Sequence, residues 1–88
     1  LGWTIEYDPR ALRDLNKLDR SVRSEIFNYM QTRFANAESP RDFGKALRHE
    51  KFGLWRYRVR DFRIICEQQG SRHVVLVVGV GHRRDIYR

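Results

Sequence analysis

The side chains of this chain with the most chemistry to offer lie in two places. Arg56, Arg58 and Arg63 surround the dipeptide Arg60-Asp61, and the chain closes on Gly79-Val80-Gly81-His82-Arg83-Arg84-Asp85-Ile86-Tyr87-Arg88. Between positions 82 and 87 the closing run sets an imidazole, two guanidiniums and a phenol. That set suits the cutting of RNA, in which a ribose 2′-OH attacks the adjacent phosphorus and the 5′-oxygen leaves. The reaction needs a proton acceptor and donor, positive groups where charge builds on the phosphorane, and something that holds the base in line. His82 can give or take a proton near neutral pH. Arginine does not readily deprotonate, so Arg58, Arg63 and Arg83 are read as charge stabilisers. Tyr87 is read as a stacking or hydrogen-bonding partner for a splayed nucleotide. Arg56, Arg60, Arg84 and Arg88 are assigned to gripping the RNA backbone. Each role has an ordinary alternative: a histidine at a strand end is commonly a surface residue, Arg84 and Arg88 can be solvated charges, and Tyr87 can cap the core. His49 and His73 are read as structural.

Charge supports a polyanionic partner. Eighteen Lys and Arg against eleven Asp and Glu give net +7. Residues 1–40 hold six of each sign, so the whole excess falls in residues 41–88, with twelve basic and five acidic side chains. Arginine dominates there, and its planar fork matches phosphate oxygens better than a lysine point charge does. No tight cluster of His, Cys, Asp and Glu marks a metal site, a strongly positive surface disfavours a divalent cation, and no phosphate-binding glycine loop is present; neither metal nor cofactor is expected.

The elements that must position these residues fit one domain of 88 residues. The lone Cys66 precludes an internal disulfide and suits a reducing, cytoplasmic setting. The longest apolar stretch, residues 74–80, is far short of the roughly 20 that a membrane-spanning helix needs, so no membrane association is expected. Residues 3–7 alternate as a strand. Asp8-Pro9 then reads as an N-cap with proline at the first helical position. Ala11, Leu12, Leu15 and Leu18 form the apolar stripe of a first helix, and Val22, Ile26, Tyr29, Met30 and Phe34 that of a second ending near residue 37. Residues 41–53 read as a loop with one short helical turn. Residues 54–59, 62–69 and 73–80 are strands joined by short turns at Arg60-Asp61 and Gly70-Ser71. The order β-α-α-β-β-β predicts an α+β fold: a helical hairpin on one face of a mostly antiparallel four-stranded sheet, the other face open.

Strand parity then fixes what the open face carries. A two-residue loop at Arg60-Asp61 sets Val59 opposite Phe62, Arg58 opposite Arg63, Tyr57 opposite Ile64 and Trp55 opposite Cys66. Trp55, Tyr57, Val59, Phe62, Ile64 and Cys66 face the helices, and Arg56, Arg58 and Arg63 share the open face. A two-residue Gly70-Ser71 turn adds Ile65, Leu76 and Val78 to that face. Like charges directly opposite are unfavourable by about 0.2–1 kcal/mol, so Arg58 against Arg63 calls for a phosphate between them, for splaying into water, or for an acid such as Glu67 alongside.

The Tyr7-Asp8-Pro9-Arg10-Ala11 opening of the first helix resembles the RelE branch of the RelE/ParE superfamily of bacterial toxins. So do the hairpin Trp55-Arg56-Tyr57-Arg58-Val59-Arg60-Asp61-Phe62-Arg63-Ile64 and the closing Val80-Gly81-His82-Arg83-Arg84-Asp85-Ile86-Tyr87-Arg88, and the likeness spans essentially the whole chain. The resemblance implies the toxin of a type II toxin-antitoxin pair that enters the ribosomal A site and cleaves mRNA there without a metal. It implies a cognate antitoxin that covers the basic face and joins the toxin in repressing their operator DNA. Arg56 and Arg58 fall where the family has two functional lysines, while Arg63, Arg83 and Tyr87 match its arginines and late tyrosine. Arg58 replaces a lysine proposed as general base, which shifts acid-base work towards His82. A ParE-like protein that binds DNA gyrase and a non-catalytic RNA-binding module are the competing functions.

Overall fold

A computed structural model of the chain describes residues 2–34, 45–46 and 53–85. Strand β1 is Thr4–Tyr7, followed by helices α1 (Pro9–Asn16) and α2 (Arg20–Phe34). Asp8 enters α1 as expected: its backbone is extended, its Oδ1 accepts the Arg10 N–H at 2.9 Å, and Pro9 takes the first helical position. Hydrogen bonds from the Arg10 side chain and backbone hold the Asp8 carboxyl below the usual carboxylate range. Ala11 and Leu15 are buried, with Leu18 packed against them, but Leu12 points outward at 42% exposure. The stripe of this short helix is therefore narrower than its four apolar residues suggest. On α2, Ile26, Met30 and Phe34 recur every four residues and are fully buried.

Strands β2 (Lys45–Ala46), β3 (Leu54–Val59), β4 (Phe62–Gln69) and β5 (Val74–His82) complete one sheet in the order β1-β5-β4-β3-β2. The four long strands are those expected, except that β5 begins one residue later and runs past Val80 through Gly81 to His82, and the mixed sheet is parallel only where β1 meets β5. Lys45–Ala46 adds a two-residue edge to it from the stretch read as loop. The helical turn expected near it, and His49, lie outside the described residues. Tyr57, Val59, Ile64 and Cys66 face the helices and join the core, with Trp55 and Phe62 packed against it.

The hairpin between β3 and β4 has the two-residue loop and pairing that its sequence predicts. Arg60 takes a positive φ of 54° in it, because a loop this short matches the strand twist with its first residue in that region. The β4–β5 connection differs. Gln69 pairs with Val74, so the turn spans residues 70–73: Gly70–Arg72 forms a 3-10 turn and His73 follows in the left-handed region at φ 53°. A bulge then interrupts β5. Cys66 faces Val77 but Ile65 faces Gly79, so Val78 is the extra residue.

Cys66 is fully buried and desolvation pushes its thiol well up. The folded protein is therefore expected to resist iodoacetamide at about pH 8 and to react once unfolded. Mass spectra with and without denaturant check this, and alkylation of the native protein at the rate of a free thiol would refute it.

Candidate functional site

The face of the sheet opposite the helices gathers the arginines. Arg58 stands directly across from Arg63, and Arg56, across from Ile65, lies on the same face. The Arg63 Nη1 reaches back to the carbonyls of Arg60 at 3.4 Å and Phe62 at 3.3 Å, which draws its head towards the hairpin loop. Glu67, a proposed neutraliser, instead accepts from Gln69 Nε2 at 3.2 Å. Arg58 is exposed, and no described residue hydrogen-bonds or ion-pairs with it. Splaying thus relieves part of the repulsion, with no acid inserted between the two heads among the described residues.

The bulge changes what lies beside this pair. Leu76 is on the open face, opposite Glu67, but Val78 is taken up by the bulge and the alternation reverses beyond it. Gly79 and Gly81 therefore come to the arginine face, opposite Ile65 and Arg63; that face is not open throughout, as the sequence predicts it to be, because Ile65 is only 7% exposed. Gly81 thus puts no side chain of its own beside Arg63, where a side chain would crowd a phosphate. The paired glycines two apart were the available signal, since glycine inside a strand often marks a bulge.

The same reversal separates His82 from the arginines. His82 pairs with Phe62, whose side chain faces the helices, and the two rings meet edge to face at 5.7 Å. The Arg84 N–H donates to His82 Nδ1 at 3.2 Å, which assigns the neutral ring's proton to Nε2 and engages its only lone pair. Arg83 lies one residue further on. Its N–H donates to Asp61 O at 2.7 Å, extending the β4–β5 ladder by a step. Continued alternation places Arg83 on the face of Gly81 and Arg63, with its Nη1 4.0 Å from Asp61 Oδ1. Arg60 turns the other way, to Glu25 Oε2 on α2 at 2.9 Å. Arg84 is exposed beyond the strand. Tyr87 and Arg88 lie outside the described residues. Among the described residues no three His, Cys, Asp or Glu side chains converge as metal ligands, and no helix is long and apolar enough to cross a membrane.

Comparison with known proteins agrees with this geometry. Residues 5–87 match the family described as the ParE toxin of type II toxin-antitoxin system, parDE. Toxin RelG of Mycobacterium tuberculosis is 29% identical over 89 residues, spanning 100% of this chain and 99% of that protein. The toxin-antitoxin complex RelBE2 of the same organism contains a chain that superposes with a TM-score of 0.80 at 24% identity, covering 94% of this chain and 100% of that one. A double arginine-to-alanine mutant of the E. coli toxin RelE, in the free state, superposes with a TM-score of 0.78 at 24% identity over 99% of this chain and 90% of that one. The structural likenesses establish the fold, and the family match over nearly the whole length establishes descent. This chain belongs to the RelE/ParE family of type II toxin-antitoxin toxins.

Proposed function

We propose that this toxin is a ribosome-dependent, metal-independent endoribonuclease that cleaves mRNA in the A site and so stops translation in the cytoplasm. The observation that carries the reading is the pairing of Arg58 with Arg63 beside Gly81 of β5. Two cations held across a strand pair, with no bridging acid among the described residues, gain from an anion that sits between them, and a scissile phosphate is such an anion. Arg58, Arg63 and Arg83 stabilise the charge that builds on the phosphorane. Arg56 and Arg84 grip the neighbouring backbone, Tyr87 and Arg88 keep their assignments as nucleotide contacts, and Arg60, turned to Glu25 on α2, reaches RNA only if that ion pair opens. His82 supports the end of β5 through Phe62 and Arg84, so both the base that takes the 2′-OH proton and the acid that protonates the departing 5′-oxygen are assigned to the ribosomal site. A cognate antitoxin is the expected partner, since relatives of the same fold were crystallised as RelB–RelE complexes; the pair is expected to bind its own operator.

The family description names ParE, and on that ground gyrase binding is the second reading. Purified toxin added to translating ribosomes, followed by primer extension along the mRNA, separates the two. Codon-phased ends support the nuclease. Uncut mRNA together with inhibited supercoiling supports the gyrase binder, and binding to RNA without cuts an inert module.

The placement of His82 makes its own prediction. His82→Ala is expected to slow cleavage by less than about 10-fold, well below the 10²- to 10³-fold typical of losing a transition-state donor. A single-turnover pH profile for both proteins checks it. A loss above 100-fold, with one limb of the profile gone, would restore His82 as acid or base.

A further inference from the structure

Asp14 makes the one long-range link between α1 and the end of β5 that is built on a side-chain hydrogen bond among the described residues. Its Oδ2 accepts the backbone N–H of Val80 at 3.0 Å, across 66 positions of sequence. The topology explains the need for it. β1 lies along β5 from the Thr4–Val74 pair to the Tyr7–Val77 pair, and the Asp8 N–H closes that edge on Val77 O at 2.8 Å. There the chain turns into α1, so among the described residues no strand lies on this side of β5 beyond Val77. A backbone amide facing that side must find another acceptor, and Asp14 provides it.

The amide it takes is diagnostic of register. Before the bulge, the carbonyls of His73 and Val77 face β1, so the odd-numbered residues of β5 point to that edge. After it, Arg83 donates to Asp61 on the β4 side, so the even-numbered residues face the edge. Val80 can reach Asp14 only because Val78 is bulged. In an unbulged β5 the Cys66–Val77 pairing would run on unchanged, setting Arg63 opposite Val80 in place of Gly81. The Val80 N–H would then turn into the ladder with β4, and its side chain would cover the ground beside Arg63.

We infer that Asp14 is a positioning residue for cleavage: by accepting from Val80 it selects the bulged register, which lays Gly81 beside Arg63 and anchors Arg83 at the Arg60-Asp61 loop. The inference rests on the nuclease reading above. It names no contact between Asp14 and RNA; the effect passes entirely through the strand.

The test uses the full chain, its Asp14→Ala and Asp14→Asn variants, single-turnover cleavage on programmed ribosomes across toxin concentration, and amide exchange along β5. Asp14→Ala is expected to cleave about 10- to 100-fold more slowly at saturation, as small misplacements of catalytic groups do, with half-saturation changed less than about 3-fold. Exchange at Val80 speeds up while Tyr57 and Ile64 stay protected. Asp14→Asn keeps an oxygen acceptor, so it is expected to keep Val80 protected and to cleave within about 3-fold of the parent, since the hydrogen bond and not the charge positions the strand. Cleavage by Asp14→Ala at the parent rate overturns the inference. If Asp14→Ala does not fold, Asp14→Asn decides: cleavage that follows Val80 protection, both kept or both lost, supports the inference, and cleavage that parts from it overturns it. A parent protein that leaves mRNA uncut on ribosomes sinks the nuclease reading instead, a result distinct from any difference between the variants.

Discussion

Arg63→Ala and Arg83→Ala are each expected to reduce single-turnover cleavage by about 100-fold or more if the proposed nuclease reading holds, the scale of removing one preorganised donor from a developing oxyanion, about 2.7–4 kcal/mol. Stability moves far less. The hydrogen bonds that Arg63 makes to the Arg60 and Phe62 carbonyls are long, at 3.4 and 3.3 Å, and the Arg83 contact with Asp61 is longer still at 4.0 Å between exposed groups. Long contacts of that kind, exposed or only partly buried, contribute about 0–1 kcal/mol, and 1 kcal/mol moves the melting temperature of a domain this size by about 4–8 °C. Arg58→Ala goes further in the same direction. It removes a like-charge pair worth about 0.2–1 kcal/mol against folding, so it leaves the protein as stable as before or more so while it lowers activity. Cleavage assays beside thermal melts for the three variants read both axes. Full cleavage by both Arg63→Ala and Arg83→Ala would remove the arginine face as the catalytic site.

That face was legible in the sequence because two local rules converge on it. A two-residue loop at Arg60-Asp61 leaves a single pairing for the strands on either side, and alternation within each strand does the rest. Asp8-Pro9 was legible for a similar reason, a side-chain acceptor followed by a residue without an N–H. Parity arguments fail where an uncounted residue enters. Gly70-Ser71 resembles a tight turn, but the chain spends four residues there and settles His73 in the left-handed region, its ring 5.1 Å from that of Trp3. The four-residue turn alone preserves parity with a two-residue one. The bulge at Val78 does not, and it moves Gly81 onto the arginine face and His82 off it. A bulge depends on what both edges of a strand can bond to, here β4 on one side and β1 giving way to Asp14 on the other. Such information sits 66 residues away, beyond the reach of local pattern.

Phe34→Ala is the substitution expected to damage the fold most. Phe34 closes α2 with its ring fully buried, edge to face against the equally buried Tyr57 at 5.1 Å, and its carbonyl accepts the Trp3 N–H at 3.1 Å. One residue therefore ties the helical layer to β3 and to the approach of β1. Truncating a fully buried phenylalanine costs about 3–5 kcal/mol, because contacts are lost and the surrounding core collapses only in part. A domain of 88 residues has about 4–13 kcal/mol to lose, so the melting temperature should fall by more than about 12 °C. Phe27→Ala is the matched control. Its ring also meets a tyrosine edge to face, Tyr7 at 5.1 Å, but it is 36% exposed, and the loss should stay near 1 kcal/mol. Urea titrations decide the matter, with an unchanged slope and a lower midpoint marking a true loss of native stability. A Phe34→Ala midpoint equal to that of Phe27→Ala would mean that the α2–β3 seam does not carry the core. Tyr57 stands between Arg56 and Arg58 on β3, so Phe34→Ala also loosens the strand beneath them. Assayed cold, where it is folded, it should regain most of its cleavage, whereas Arg63→Ala should regain none.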